Sequence, residues 1–233
     1  SARLITEENV RSLEKLAPFG PGNPQPVLAL TDARLRQVIP LSGGKYVKLL
    51  LEAEGLVFQA LCFKLRADGL RFRPGDLVDV AFCAEINSYK GQDSVQLTVQ
   101  DLRPAQTQRE RERQAEETLR QLLSGQEVLA AAPDRSAFAA VWRALTKLAQ
   151  GKKVKTTPAI IYCHAREENA AIDELSVLLA LHVFSEAGLL AMQEPVLDFN
   201  EEYVFAFCHS GSEKVNLENT GLMLRLAAQR SSA

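Results

Sequence analysis

The sequence predicts a multidomain α+β chain: a five-stranded β-barrel, a charged linker helix, and a smaller domain of helices closed by a hairpin. Three observations predict it. Hydrophobic residues recur with period two between Val27 and Leu102, and with helical spacing from Phe138 onward. A run of interleaved charge, Gln106 to Leu123, separates the two patterns. The chain has 233 residues, enough for two domains of ordinary size. At 46% hydrophobic and 24% charged it is neither a disordered tail nor a membrane protein, and no apolar run reaches bilayer length. The formal charge of -2 excludes a strongly basic surface over the whole chain, though not a local one. No basic-then-apolar signal segment opens the chain, so a cytoplasmic protein is the default. It begins Ser1-Ala2 without methionine, and the natural polypeptide is expected to start upstream.

Residues 1–21 carry three basic and three acidic groups. They hold a short helix with Val10, Leu13 and Leu16 on one side and Thr6 as N-cap, halted by Pro18-Phe19-Gly20-Pro21-Gly22-Asn23-Pro24-Gln25-Pro26. Residues 22–104 carry ten basic against nine acidic groups. Here Val47, Leu49 and Leu51 alternate with Tyr46, Lys48 and Leu50. Val78, Val80, Phe82, Ala84 and Ile86 alternate with Asp79, Ala81, Cys83, Glu85 and Asn87, and Val95, Leu97 and Val99 alternate with polar partners. Runs at Ala33–Ile39 and Leu56–Lys64 make five strands, broken at Ser42-Gly43-Gly44, Glu54-Gly55, Arg73-Pro74-Gly75-Asp76 and Lys90-Gly91. Five strands with the longest gap between the third and fourth fit an OB-fold β-barrel. Other small five-stranded barrels fit the periodicity almost as well.

Residues 105–125 read as a charged, solvated spacer helix in which Arg113 and Glu117 sit four apart. Residues 105–233 carry fourteen basic against seventeen acidic groups. Phe138, Val141, Trp142, Leu145 and Leu148 have helical spacing, as do Ile172, Leu175, Leu178, Leu179, His182 and Val183, with a stop at Ala187-Gly188. Leu189–Met192 and Tyr203–Phe207 form a hairpin across Glu194–Glu202, and a helix follows at Asn219–Gln229. Helices followed by a hairpin describe a winged-helix-like domain.

Cys62, Cys83, Cys163 and Cys208 are scattered without a C-x-x-C pair, which argues for buried free thiols over a zinc ribbon or redox motif. His164 has helical ligand spacing to Glu167 and Glu168, but no further ligands can be named. His182 lies on an apolar stripe and reads as a core histidine. Three histidines and no partnered nucleophile argue against hydrolytic chemistry within this chain.

The run Leu16 to Pro26 resembles the L-x-P-F-G-x-G-N-x-x-P segment of bacterial RecJ, a 5′-to-3′ single-strand-specific DNA exonuclease. Val47-Lys48-Leu49, the stretch Gly75 to Gly91, Ser94 to Leu97 and Asp101 to Pro104 resemble the OB-fold domain of that family, over residues 7–104 in all. Residues 133–226 are more loosely similar to the extra C-terminal region of Firmicute-type members, at Pro133-Asp134-Arg135, Val141 to Leu145, Phe184 to Leu189 and Val215 to Asn219. The family's chemistry comes from an N-terminal phosphoesterase core whose Asp-His-His motif holds manganese. No Asp-His or His-His pair exists here, so no metal ligand carries over. The resemblance therefore implies a non-catalytic C-terminal fragment with no cofactor of its own, the manganese or magnesium belonging to the missing core.

A single-strand binder needs a cationic track and flat rings. On an OB-fold these are expected on the second and third strands and on the loops joining strands one to two and four to five. The candidates are Lys45, Tyr46 and Lys48, then Phe63, Lys64 and Arg66, then Arg71 and Arg73, then Asn87, Tyr89 and Lys90. Tyr46 and Lys48 point outward if Val47 and Leu49 fill the barrel, whereas the period leaves the face of Phe63 open. Phe19, Gly20, Gly22 and Asn23 are expected to form a rigid joint to the missing core, with Phe19 as an interdomain anchor. Lys152, Lys153 and Lys155 are either a docking point for an acidic tail, such as that of the single-strand DNA-binding protein, or an ordinary solvated loop, the preferred reading. Single-stranded DNA and the phosphoesterase core are the implied partners, with no membrane. The alternative is a protein-interaction module whose barrel binds no nucleic acid.

Overall fold

The computed structural model describes residues 1–89, 91–149, 151–208 and 215–231. They make two compact units, Ser1–Arg109 and Glu110–Ala233. In the first unit a short helix, α1 (Glu7–Glu14), precedes five strands: β1 (Leu28–Leu41), β2 (Tyr46–Ala53), β3 (Leu56–Cys62), β4 (Leu77–Tyr89) and β5 (Gln92–Pro104). They close into a barrel in the order β1-β2-β3-β5-β4, antiparallel throughout except for the β3–β5 pair. This is the OB-fold topology. Val47, Leu49 and Leu51 are fully buried, and Phe58, Ala60, Val78, Val80, Phe82, Leu97 and Val99 complete the interior. The strand alternation follows from the pleat, which sends neighbouring side chains to opposite faces.

Closure depends on β1, whose first half pairs with β4 and whose second half pairs with β2. Its register shifts between Leu30 and Ala33 and again between Leu35 and Gln37. Such bulges bend a strand and increase its twist. At the first of them Asp32 takes a left-handed φ of 52°. The backbone N–H of Asp32, left out of the ladder by the bulge, donates to Oδ1 of Asp79 at 3.1 Å in a part-buried hydrogen bond. Asp79 faces outward on β4 yet is only 8% exposed, and its Oδ2 accepts Nη1 of Arg109 at 3.0 Å, with Nε of Arg103 at 3.7 Å. Arg109 Nη1 also donates to the Pro104 carbonyl at 3.0 Å.

Thr6 caps α1 by accepting the Asn9 N–H at 3.2 Å, and Val10 of that helix joins the barrel core. The Pro- and Gly-rich stretch folds into a tight turn. Gly20 and Asn23 exchange both backbone hydrogen bonds, at 2.9 and 3.0 Å, with Gly22 between them at φ 92°. Only glycine adopts that conformation without strain. The Asn23 side chain then donates to the carbonyls of Leu16 and Pro18, both at 2.9 Å.

The second unit contains most of α2 (Gln106–Leu123), then α3 (Arg135–Leu148), β6 (Lys153–Thr156), α4 (Pro158–Glu168), α5 (Glu174–Glu186), β7 (Leu190–Met192), β8 (Tyr203–Phe207) and α6 (Gly221–Ser231). Its sheet has the order β6-β8-β7, all antiparallel. The expected hairpin is present, and β6 is a third strand that four residues of alternation did not announce. Gly188 at φ 70° ends α5, with the Leu189 N–H reaching back to the Phe184 carbonyl at 2.9 Å. The expectation of a charged, solvated spacer helix is corrected along one stripe. Ala115, Leu119 and Leu122 of α2 recur at helical spacing and lie in the second core, a stripe hidden in the sequence by the charges around it.

The loop between β7 and β8 is bound into the same core. Val196 and Phe199 are fully buried. Glu116 Oε1 accepts the Phe199 N–H at 2.8 Å, Glu112 Oε2 accepts from the Asn200 amide at 3.2 Å, and Arg120 donates to the Leu197 carbonyl at 3.0 Å. Burial raises the Glu116 carboxyl above its ordinary value against the pull of the Phe199 N–H. His182 is the core histidine the sequence suggests, its Nε2 meeting the Val196 carbonyl at 2.9 Å. Burial holds its pKa below the usual histidine value. No helix among the described residues is long and apolar enough to cross a membrane.

Two outcomes follow from these buried groups. Asp79→Ala strands the Asp32 N–H and the Arg109 guanidinium and should lower unfolding stability by about 3 kcal/mol. Arg103→Ala, at the more exposed partner, should cost less than about 1 kcal/mol. Equal losses in denaturant melts would refute the distinction. A histidine with a lowered folded pKa leaves the unfolded chain binding the extra proton, so stability is lost as pH falls below about 6.5. Urea midpoints at several pH values should show that loss in the parent and a flatter profile in His182→Gln.

Candidate nucleic-acid interface

Val47 and Leu49 point into the barrel, so Tyr46, Lys48 and Leu50 stand on the outer face of β2. On β3 the inward residues are Phe58, Ala60 and Cys62, which turns Val57, Gln59 and Leu61 outward. β3 ends at Cys62, so Phe63 and Lys64 lie just beyond the strand rather than within it. Val47 and Cys62 are Cα partners, and one step further the rings of Tyr46 and Phe63 meet edge to face, centroids 5.4 Å apart. Tyr46 is 38% exposed and Phe63 52%. The face of Phe63 that periodicity left open is therefore outward.

Cations lie on the same face and end of the barrel as this ring pair. Lys45 is exposed in the turn before β2, and Lys64 follows Phe63 directly. The β1–β2 turn lies close to the helical turn Ala67–Gly69, since a Cβ on Gly44 would stand 3.7 Å from that of Ala67. This brings exposed Arg66 to the same end of the barrel. Lys48 Nζ donates to Gln59 Oε1 at 3.1 Å, and Lys64 Nζ donates to both the backbone oxygen and Oε1 of Gln100 at 3.2 Å.

Other candidates fall elsewhere. Arg71 lies over the buried Phe72 ring at 5.5 Å. Arg73 sits in a turn packed on Leu35, whose partner on β2 is Leu51, at the far end of that strand from Tyr46. Arg73 is therefore not brought to the rings. Asn87 is exposed on β4 opposite Ser94, toward the Val57 end of the same barrel face. That end is roughly 20 Å from Phe63 at strand spacing. The Tyr89 side chain and Lys90 lie outside the described residues. The sequence missed Gln59 and Gln100, which carry no charge signal, and the exposed Leu56 and Val57, whose apolar character suggested core.

Phe19 is half-buried and lines a cleft with Val10, Leu13, Pro26 and Ala84, all within the first unit. In the second unit, Lys153 and Lys155 point outward from the edge strand β6 while Val154 and Thr156 point in. Lys152 is exposed just before that strand, and Lys155 pairs with Glu202 at 2.8 Å. Lysines along a sheet edge discourage pairing with another strand. Among the described residues no three His, Cys, Asp or Glu side chains are grouped so as to hold a metal ion.

A family model described as the RecJ OB domain matches residues 1–101. These residues, fewer than half of the chain, are similar to that domain. Two crystal structures of RecJ from Thermus thermophilus, in complex with Mg2+ and with Mn2+, are 25% identical to the chain, with a TM-score of 0.37. Each match covers 45% of this chain but only 15% and 14% of the RecJ chains. The single-stranded DNA binding protein SSBb of Mycobacterium smegmatis is 19% identical over 35% of this chain and 87% of its own, with a TM-score of 0.31. TM-scores this low carry no argument, and the OB fold rests on the RecJ OB match and the strand order of the barrel. No curated protein matches the chain.

Exposed rings contribute little to a core. Tyr46→Ala and Phe63→Ala should each shift unfolding stability by no more than about 1 kcal/mol. A loss of about 3 kcal/mol, the scale of a buried aromatic, would place these rings in the barrel's packing instead.

Proposed function

We propose that the barrel binds single-stranded DNA across the outer face of β2 and β3, as the guiding module of a RecJ-type 5′-to-3′ exonuclease acting in cytoplasmic DNA repair and recombination. The observation that carries this reading is the exposed Tyr46–Phe63 ring pair with Lys45, Lys48, Lys64 and Arg66 around it. Bases stack on such rings with little regard to sequence, while lysines and arginines neutralise the phosphates between them. Catalysis in this reading belongs to a phosphoesterase core outside these residues. The manganese or magnesium it would use finds no grouped donor set among the described side chains here. The turn at Gly20–Asn23 then serves as a stiff joint toward that core.

A second reading applies to the second unit. The order α3-β6-α4-α5-β7-β8 supports a winged-helix-like scaffold. Its α5 is buried from Val177 to Phe184 and contains no lysine or arginine, and its hairpin loop is bound into the core. These features favour protein contact over DNA contact there, with the single-strand DNA-binding protein as the partner to test against Lys152, Lys153 and Lys155. Fold alone does not assign that role.

Fluorescence anisotropy with a labelled single-stranded oligonucleotide, run across a salt series, tests the first reading. Affinity should fall steeply with salt, and Tyr46→Ala should cost about 1–3 kcal/mol of binding. Lys48→Glu should weaken binding further. Absence of binding even at low salt would overturn the proposal for the barrel. A manganese-supplemented nuclease assay on the same chain should remain blank, and reproducible digestion would contradict the non-catalytic assignment.

A further inference from the structure

Cations across this chain are commonly matched with carboxylates: Arg11 with Glu7 and Asp93, Arg36 with Glu52, Arg109 with Asp79, Lys147 with Glu167, Lys155 with Glu202. The two lysines beside the ring pair differ. Among the described residues neither Lys48 nor Lys64 has a carboxylate within 4.0 Å, and each is held by a glutamine. Gln59 and Gln100 come from two different strands, β3 and β5. The orientation of the Gln100 amide is set from behind, where its Nε2 donates to the buried Cys83 thiol at 3.6 Å and so turns Oε1 toward Lys64.

We infer that Gln59 and Gln100 are positioning residues for single-strand binding, each holding a lysine ammonium through a neutral amide on the outer β2–β3–β5 face that also carries the Tyr46–Phe63 rings. The inference rests on the proposed DNA-binding role of the barrel. A free lysine loses rotamer freedom when it meets a phosphate, and a lysine already tethered has surrendered part of that freedom beforehand. A carboxylate would tether it equally well but would cancel the charge that displaces counterions from the strand. An amide oxygen accepts the hydrogen bond and leaves the full positive charge available. The same logic explains why uncharged residues sit at these two positions on a face whose task is electrostatic.

The test uses the full 233-residue chain. Anisotropy titrations with an oligothymidylate across a salt series would compare the parent with Gln59→Glu, Gln100→Glu, Gln59→Ala, Gln100→Ala and Gln96→Glu. Each glutamate at 59 or 100 should weaken low-salt binding roughly tenfold and reduce the steepness of the salt dependence by about 0.7, the contribution of one phosphate contact on a single strand. The alanine variants should weaken binding by only about threefold and keep the parental slope, because the lysine charge remains. Gln96 is the Cα partner of Gln59 and holds no lysine among the described residues, so glutamate there should change the slope by less than half as much. If the parent binds and Tyr46→Ala weakens it, yet glutamate at 59 and 100 leaves the slope at its parental value or moves it no more than glutamate at 96 does, this inference alone is overturned. If the parent fails to bind at low salt, the DNA-binding role and this inference fall together.

Discussion

A five-stranded sheet can close on itself only if one strand serves two neighbours that lie in different directions, and here the bend in β1 meets that demand. The bend exposes a backbone N–H at Asp32 that the ladder cannot satisfy. Asp79 satisfies it from β4, while Arg109 and Arg103 balance the carboxylate. The barrel seam, the bulge and the entry into α2 therefore share one buried anion. The register of β2 with β3 brings Tyr46 to Phe63, and the closure gives the face that carries them its curvature. The curvature that displays the candidate site thus depends on a residue with no direct part in it.

The barrel was largely legible because its strands are half-buried and the pleat imposes a strict period of two. Val47, Leu49 and Leu51 announce both a strand and its inward face. The same rule fails where burial comes from something other than alternation. Asp79 reads as an outward polar residue, and its burial arises from an ion pair and a bulge that no local pattern encodes. On α2, Ala115, Leu119 and Leu122 were present to be read, but interleaved charges masked a narrow apolar stripe. β6 is four residues long, too short for periodicity to separate from chance.

The candidate site was legible in part for a related reason. Tyr46 and Lys48 follow from the parity of β2 alone. Phe63 could not be assigned, since it falls one residue past the end of β3, where the pleat no longer dictates direction. Arg71 and Arg73 looked equivalent to the lysines by charge, yet the β3–β4 connection carries one onto Phe72 and the other toward the far end of β2. Glutamines have neither charge nor hydrophobicity to draw attention, so their part in holding Lys48 and Lys64 emerges only when three strands are laid side by side.

The loop between β7 and β8 also bears on how the chain acquires its structure. Glu116 and Phe199 are separated by 83 positions, and the buried bond between them cannot form until both have emerged from the ribosome. The second unit's core thus depends on contacts distant in sequence, which slow folding because a long loop must close before any of them is rewarded. The barrel needs only residues up to Arg109. During synthesis it can be complete while the helices that follow still lack their partner loop, and in that interval the apolar side of α2 stands uncovered, exposed to chaperones and to neighbouring chains.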